Sequence, residues 1–273
     1  MSEDVAVVEG IGVHSGMPSR VVLRRRPGPI RFWQNGSIAA LTELKVVRND
    51  RGVRLASRDS RVEVDVVEHL LAALGGMGIR RGLTVEVHGR ELPFLDAASR
   101  AWTRALGALA LRSSPPRLHV VRSASLEVEG SRFDFAPEEG VSLAVEVDFS
   151  GYGQAPQSAV WAGDALSFVS DIAPARSFGF LAEYDHLLGS GRAAGAIGSA
   201  LLVFDAEGRQ LDNGPPARPD ELARHKLLDL IGDSYVSGGP AKGHVRAIRP
   251  GHARNILAFQ LALTEGILEP AGR

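Results

Sequence analysis

The chain has 273 residues, a formal net charge of −1, 44% hydrophobic and 23% charged residues, and no cysteine. This is the composition of a globular chain, long enough for one large domain or two ordinary ones, with no global field for nucleic acid or an anionic membrane surface. Without thiols, disulfides and cysteine metal sites are excluded, so any metal must be held by His, Asp or Glu.

Met1-Ser2-Glu3-Asp4 is acidic and no long apolar run follows it, so no secretory signal is expected. No stretch nears the roughly 18 uninterrupted apolar residues of a membrane span. A cytoplasmic monomer with no nucleic-acid partner is the expectation. Short strands are predicted over Val5 to Glu9, Arg20 to Arg25 and, after a Pro-Gly-Pro turn, Ile30 to Trp33. Between the first two lies Gly10-Ile11-Gly12-Val13-His14-Ser15-Gly16, a glycine loop that serves tight turns or close backbone approach to a ligand. A helix beginning near Val66 precedes a strand from Leu83 to His88, and Asp96 reads as the cap of a helix from about Ala97 to Leu111. Ser113-Ser114-Pro115-Pro116 is the strongest linker signal and separates a domain at 1–114 from one at 117–273. Strands are then predicted over His119 to Val128, Ser131 to Phe135 and Ser142 to Phe149. A segment at about 181–204 reads as an insertion over one side of the site: a helix, the small residues Gly189 to Ser199, and a strand from Ala200. A proline-rich loop then leads to a helix with Asp220 as its candidate cap.

That last helix holds His225-Lys226-Leu227-Leu228-Asp229-Leu230-Ile231-Gly232-Asp233. His225 and Asp229 are four apart and share a face. Such a pair is either a hydrogen-bonded couple or two of the three protein ligands of a zinc ion. Upstream, Val66-Val67-Glu68-His69-Leu70-Leu71-Ala72-Ala73-Leu74-Gly75-Gly76 aligns with it, His69 on His225 and Leu71 on Leu227. Each helix is followed by a glycine-containing turn, a short strand and another helix. The order β-β-β-α-β-α, read twice, gives an α+β fold built as an internal duplication, with the helices packed between two sheets. Two such halves packed about a pseudo-two-fold axis could bring both histidines to one point; the plainer alternative is two ordinary amphipathic helices.

Six segments, in one order, carry a resemblance: the glycine loop with His14, the Glu68-His69 helix, Glu91-Leu92-Pro93-Phe94-Leu95-Asp96, Ala175-Arg176-Ser177-Phe178-Gly179-Phe180, the His225 helix and Gly251-His252-Ala253-Arg254-Asn255. Together they resemble the UDP-3-O-acyl-N-acetylglucosamine deacetylases of lipid A biosynthesis, nearly end to end. The resemblance implies a zinc ion (Fe2+ being an alternative) on His69, His225 and Asp229, with the fourth position open as in catalytic sites. It further implies Glu68 as general base, His252 as general acid, Asp233 as the carboxylate that orients and charges His252, Lys226 as an added positive charge, and Ser177, in place of the family's usual threonine, as a hydroxyl for the oxyanion. On the substrate side it implies His14, Phe178 against the sugar and Arg249 toward the nucleotide diphosphate. His88, His119, His186 and His244 match no assigned role.

The departures are Val66 for the usual threonine, Asp96-Ala97-Ala98 for Asp-Gly-Ser, Phe149-Ser150-Gly151-Tyr152, Ala193-Ala194-Gly195, and the proline-rich approach at 214–219. These surround the metal residues rather than replace them. Alternatives are therefore a paralogous zinc amidase acting on another acylated amino sugar or amide, and a zinc-binding scaffold without catalysis.

Overall fold

The computed structural model describes residues 4–189, 193–196 and 200–272. The first half runs β1 (Val5–Ile11), β2 (Pro18–Pro29), β3 (Arg31–Gln34), β4 (Ser37–Ala40), β5 (Lys45–Arg48), β6 (Arg54–Ala56), β7 (Glu63–Asp65), α1 (Glu68–Gly76), β8 (Arg81–His88) and α2 (Arg100–Ala108). The second runs β9 (Leu118–Val120), β10 (Ala124–Val128), β11 (Ser131–Ala136), β12 (Val141–Phe149), β13 (Gln154–Trp161), α3 (Ala165–Ser167), β14 (Phe178–Phe180), α4 (Leu181–Gly189), β15 (Leu202–Phe204), α5 (Glu221–Tyr235), β16 (Gly243–Ile248), α6 (His252–Thr264) and β17 (Leu268–Pro270).

Two five-stranded sheets repeat one topology, β1-β2-β8-β3-β4 and β10-β11-β16-β12-β13. In each, only the pairing of the post-helix strand with the third strand is parallel, β3 with β8 and β12 with β16. The fold is α+β, as expected. Each main sheet has one more strand than expected, because β4 and β13 complete its edge. β13 holds Pro156 and alternating polar residues, which an edge strand tolerates and a sequence pattern hides. The single strand expected from His119 to Val128 is two: β9 pairs with β17, and β10 with β11.

Every residue of α1 is buried. Leu70, Leu71 and Leu74 enter the core of the first half, while Ala72 enters that of the second beside Leu227, Leu228 and Ile231 of α5. The two helices cross where Gly232 faces α1: a Cβ there would overlap the Glu68 carbonyl oxygen and lie 3.2 Å from the Ala72 nitrogen. Glycine thus lets the ligand-bearing helices approach at backbone distance. Glu68 and His69 occupy the first turn of α1, and Val66 before them has φ +57°, a costly conformation for a β-branched residue. The small β5-β6-β7 sheet braces this entry, with Asp65 clamped by Arg54 and, at 3.1 Å, by Arg48.

The helix expected from Ala97 starts at Arg100 instead, with Ser99 at its cap position. Leu95 and Ala97 both have positive φ, so the chain turns there, and Asp96 ion-pairs with Arg100 at 3.4 Å. The turn delivers the Ala97 carbonyl to the Ser177 N–H at 2.6 Å, and the Ser99 hydroxyl to the His69 carbonyl at 2.7 Å. Asp220 stands at the cap position of α5, but its carboxylate binds Arg224 at 2.7 Å rather than a backbone N–H.

Candidate metal centre and active site

Three buried donors, on His69, His225 and Asp229, lie within 4.8 Å of one another. His225 and Asp229 come from one face of α5, with Nε2 and Oδ1 3.5 Å apart. His69 comes from α1, its ring at 90° to that of His225 and 5.5 Å from it. Donors roughly 2.0–2.2 Å from a tetrahedral zinc lie about 3.3–3.6 Å apart, close to the His225–Asp229 spacing. The His225 Nδ1–H donates to the Ala175 carbonyl at 3.1 Å, which leaves Nε2 with its lone pair toward the other donors. Arg176 holds that carbonyl's loop in place, its guanidinium 2.8 Å from the buried Glu221 at the start of α5.

Asp229 tests whether these residues fit a cation. Its Oδ2 accepts from Lys226 Nζ at 2.8 Å, whereas its buried Oδ1 has no hydrogen-bond partner. An orphaned carboxylate oxygen costs stability unless something positive meets it. Burial alone would raise the Asp229 pKa, but Lys226, His225, His252 and His69 outweigh it and hold the carboxyl well below its usual range. Burial, reinforced by the charge of His225, pushes His69 down to about 3. Burial likewise lowers His225, against the pull of Asp229. The set is therefore two neutral imidazoles and one carboxylate, the protonation that a divalent ion requires.

Two further titratable groups flank the donors. Glu68 is driven up to about 7, chiefly by burial, with His252 and the Val53 N–H opposing. That N–H donates to Oε2 at 2.9 Å. His252, the first residue of α6, is raised to about 10: burial opposes its charge, and Asp233, Asp229 and Glu68 overcome it. Its Nδ1 donates to Asp233 at 3.0 Å, and Asn255 Nδ2 donates to the same carboxylate oxygen at 2.8 Å.

These groups open into a cavity of about 790 Å³. Ser177 Oγ lies 3.3 Å from His69 Nε2. The Phe178 ring packs edge-on to His225, with Lys226 Nζ 5.2 Å from its centroid. His14 lines the wall, its Nε2 donating to the Arg51 carbonyl at 2.6 Å, and buried Glu91 accepts the backbone N–H groups of His14 and Ser15 at 2.8 Å each. The glycine loop meets the insertion, where Gly195 N–H donates to the Val13 carbonyl at 2.9 Å. Val13, Val66, Phe94, Ala196 and Leu201 give the cavity an apolar stretch of wall, with buried Ala97 packed among them. Ten of the eleven site residues expected from sequence therefore gather here. Arg249 does not: it is exposed and stands outside the cavity wall, which Arg254 lines instead. The side chain of His186 lies outside the described residues.

Sequence reasoning gave no role to Asn255, Phe94 or Val53, although the first two stand in its motifs. Asn255 is one turn along α6 from His252, a spacing that invited the assignment. Phe94 stacks on His69 at 5.9 Å. Val53 acts through its backbone, which no side-chain pattern reveals.

Residues 3–263 match the family model described as UDP-3-O-acyl N-acetylglycosamine deacetylase. Among curated proteins, the UDP-3-O-acyl-N-acetylglucosamine deacetylase of Myxococcus xanthus is 34% identical, over 92% of this chain and 82% of that protein. The Phenylobacterium zucineum deacetylase of that name is 32% identical, over 92% and 88%, and the Shewanella loihica one 29%, over 96% and 89%. The chain belongs to the UDP-3-O-acyl N-acetylglycosamine deacetylase family.

Proposed function

We propose that this chain hydrolyses the acetamido group of UDP-3-O-acyl-N-acetylglucosamine, a cytoplasmic step of lipid A biosynthesis, with one zinc ion on His69, His225 and Asp229. When bound, the ion supplies Lewis acidity to the amide carbonyl and acidity to a water molecule. Glu68, buried and held by the Val53 N–H, takes a proton from the attacking water. His252, kept as imidazolium by Asp233, faces the developing oxyanion and then gives its proton to the departing amine. Lys226 and the Ser177 hydroxyl add positive field and a donor on the same side. Phe178 packs on the sugar and His14 contacts the substrate beside it, while the apolar wall from Val13 to Leu201 receives the acyl chain.

One observation carries this reading. A carboxylate poised near 7 and an imidazole raised to about 10 flank three buried donors, one of whose oxygens has no partner. Environments that push two titratable groups apart assign a base and an acid. A second reading, the same hydrolysis on a different acylated amino sugar or amide, is favoured by the altered wall at Val66 and Ala193, both of which line the cavity.

The test is turnover of UDP-3-O-acyl-N-acetylglucosamine by zinc-loaded protein, with Glu68→Ala as the blank. The variant is expected to lose about 100-fold or more in kcat while keeping its fold and one zinc per chain. Wild-type protein that binds zinc but leaves this substrate intact would favour the second reading. Undiminished turnover in chelated, metal-free protein would sink the mechanism, and undiminished turnover in Glu68→Ala would sink the base.

A further inference from the structure

A second cavity, of about 410 Å³, lies at the opposite end of α1 from Glu68 and His69. Its wall joins the end of α1 and the linker at 113–116 to Val141 of β12, Trp161 of β13 and Pro240. It shares no lining residue with the catalytic cavity. Among the described residues that line it, Arg80 alone ionises; the others are glycines, serines and apolar side chains. The linker is fixed as one wall, because the Ser114 N–H donates to the Gly78 carbonyl at 2.8 Å.

Arg80 is 4% exposed. Its Nε donates to the Ser114 carbonyl and its Nη1 to the Gly238 carbonyl, at 3.3 Å each. Both contacts are long for N–H···O and both acceptors are neutral. Burial pulls its pKa below the usual arginine value, the Arg117 charge adds to the fall, and among the described groups no carboxylate offsets them. A buried charge left without a counter-ion is costly. The end of α1 does not claim the guanidinium either. The carbonyls of Ala73, Leu74 and Gly75 are taken by the N–H groups of Met77, Ile79 and Gly78, at 3.0, 2.8 and 3.1 Å. Nη2 and the second N–H of Nη1 make no hydrogen bond among the described residues, and they form the fork that a carboxylate takes end-on.

We propose that this cavity is a second binding site, separate from the catalytic one, for a singly charged carboxylate on a flat apolar body. With one cation in the wall, a monoanion balances the site, whereas a phosphate dianion brings charge that nothing there offsets. Arg80 takes the carboxylate, and Trp161, Val141 and Pro240 meet the body. Trp161 is held for that contact: its indole N–H donates to the Asp164 carbonyl at 2.9 Å, and its ring packs edge-on to Phe168. The volume falls within the range of roughly 300–1,000 Å³ that small-molecule sites occupy.

The experiment titrates the zinc-loaded full chain with sodium phenylacetate, phenethyl alcohol and inorganic phosphate, followed by proton–nitrogen NMR of the Trp161 indole and the Arg80 Nε–H. Phenylacetate is expected to shift both signals saturably, with a dissociation constant of about 1 mM or below. The alcohol and phosphate should bind about tenfold or more weakly. Arg80→Gln should weaken phenylacetate by about 10- to 100-fold, the range of a charge-assisted hydrogen bond. Ala165→Phe, at an exposed position on the cavity wall, keeps Arg80 but fills the space, and should abolish saturation at an unchanged urea midpoint. If Arg80 only clips the linker to the turn after α5, Arg80→Gln lowers the urea midpoint and leaves phenylacetate affinity intact, which overturns the proposal. Shifts confined to the catalytic cavity, or undiminished affinity in Ala165→Phe, overturn it as well. Phosphate that binds as tightly as phenylacetate overturns the carboxylate assignment. Should Arg80→Gln fail to fold, Ala165→Phe decides.

Discussion

At the scale of single residues, His252, as the proposed general acid, should set how far into alkaline pH the activity extends. As the first residue of α6 it sits at the positive end of a helix dipole, and it is partly buried; both oppose an imidazolium. Asp233 and Asp229 overcome them and raise the ring from 6.5 to about 10. A general acid must be protonated, so activity is lost as pH rises through its pKa. Asp233→Asn removes the nearest negative charge, lowers that pKa and should move the alkaline limb of kcat/KM to lower pH by at least about one unit. An unmoved limb in Asp233→Asn would mean that another group sets it. Asp233 was legible through the family resemblance, and it lies two helical turns beyond His225 on one face. The sequence did not reveal the Asp229 oxygen that lacks a partner, since partnership depends on what every neighbouring element fails to supply.

At the scale of elements, the site depends on two helices in backbone contact. Gly232→Ala places a methyl group against the Glu68 carbonyl, so α1 and α5 must separate or bend. The expected result is a loss of about 1–3 kcal/mol in urea unfolding, together with zinc affinity weakened by roughly tenfold, because His69 and the His225–Asp229 pair move apart. Unchanged zinc affinity in a destabilised variant would show that the donors adjust independently of the helix crossing. Both helices were legible from their apolar spacing, and their equivalence from one shared histidine. The edge strands were not: β4 is four residues of Ser-Ile-Ala-Ala, and β13 carries a proline near its start. The late start of α2 was hidden too: Leu95 and Ala97 have positive φ though neither is glycine, and Ala97 and Ser99 are bonded to the 173–177 segment, a tertiary tie that local preference does not reveal.

At the scale of the whole molecule, donors from both halves make the proposed metal a tie between them. Zinc at 100 times its dissociation constant should add about 2.7 kcal/mol to stability, read as a higher urea midpoint that chelation reverses and His225→Ala abolishes. A midpoint indifferent to zinc would remove the ion from the site. The repeated topology has a consequence for how an amide can lie there. With His69 set on His225, Glu68 falls on Arg224, Ala73 on Asp229 and Met77 on Asp233, so of the candidate catalytic and metal-holding residues only the histidine is common to both helices. Two equal halves would offer the same groups to either end of a planar amide, and the substrate could enter either way round. In the proposed mechanism the carboxylate that serves the water comes from one half, and the imidazolium that serves the nitrogen from the other. A nearly symmetric frame thus carries a site with handedness, and a substrate bound in reverse finds each proton on the wrong side.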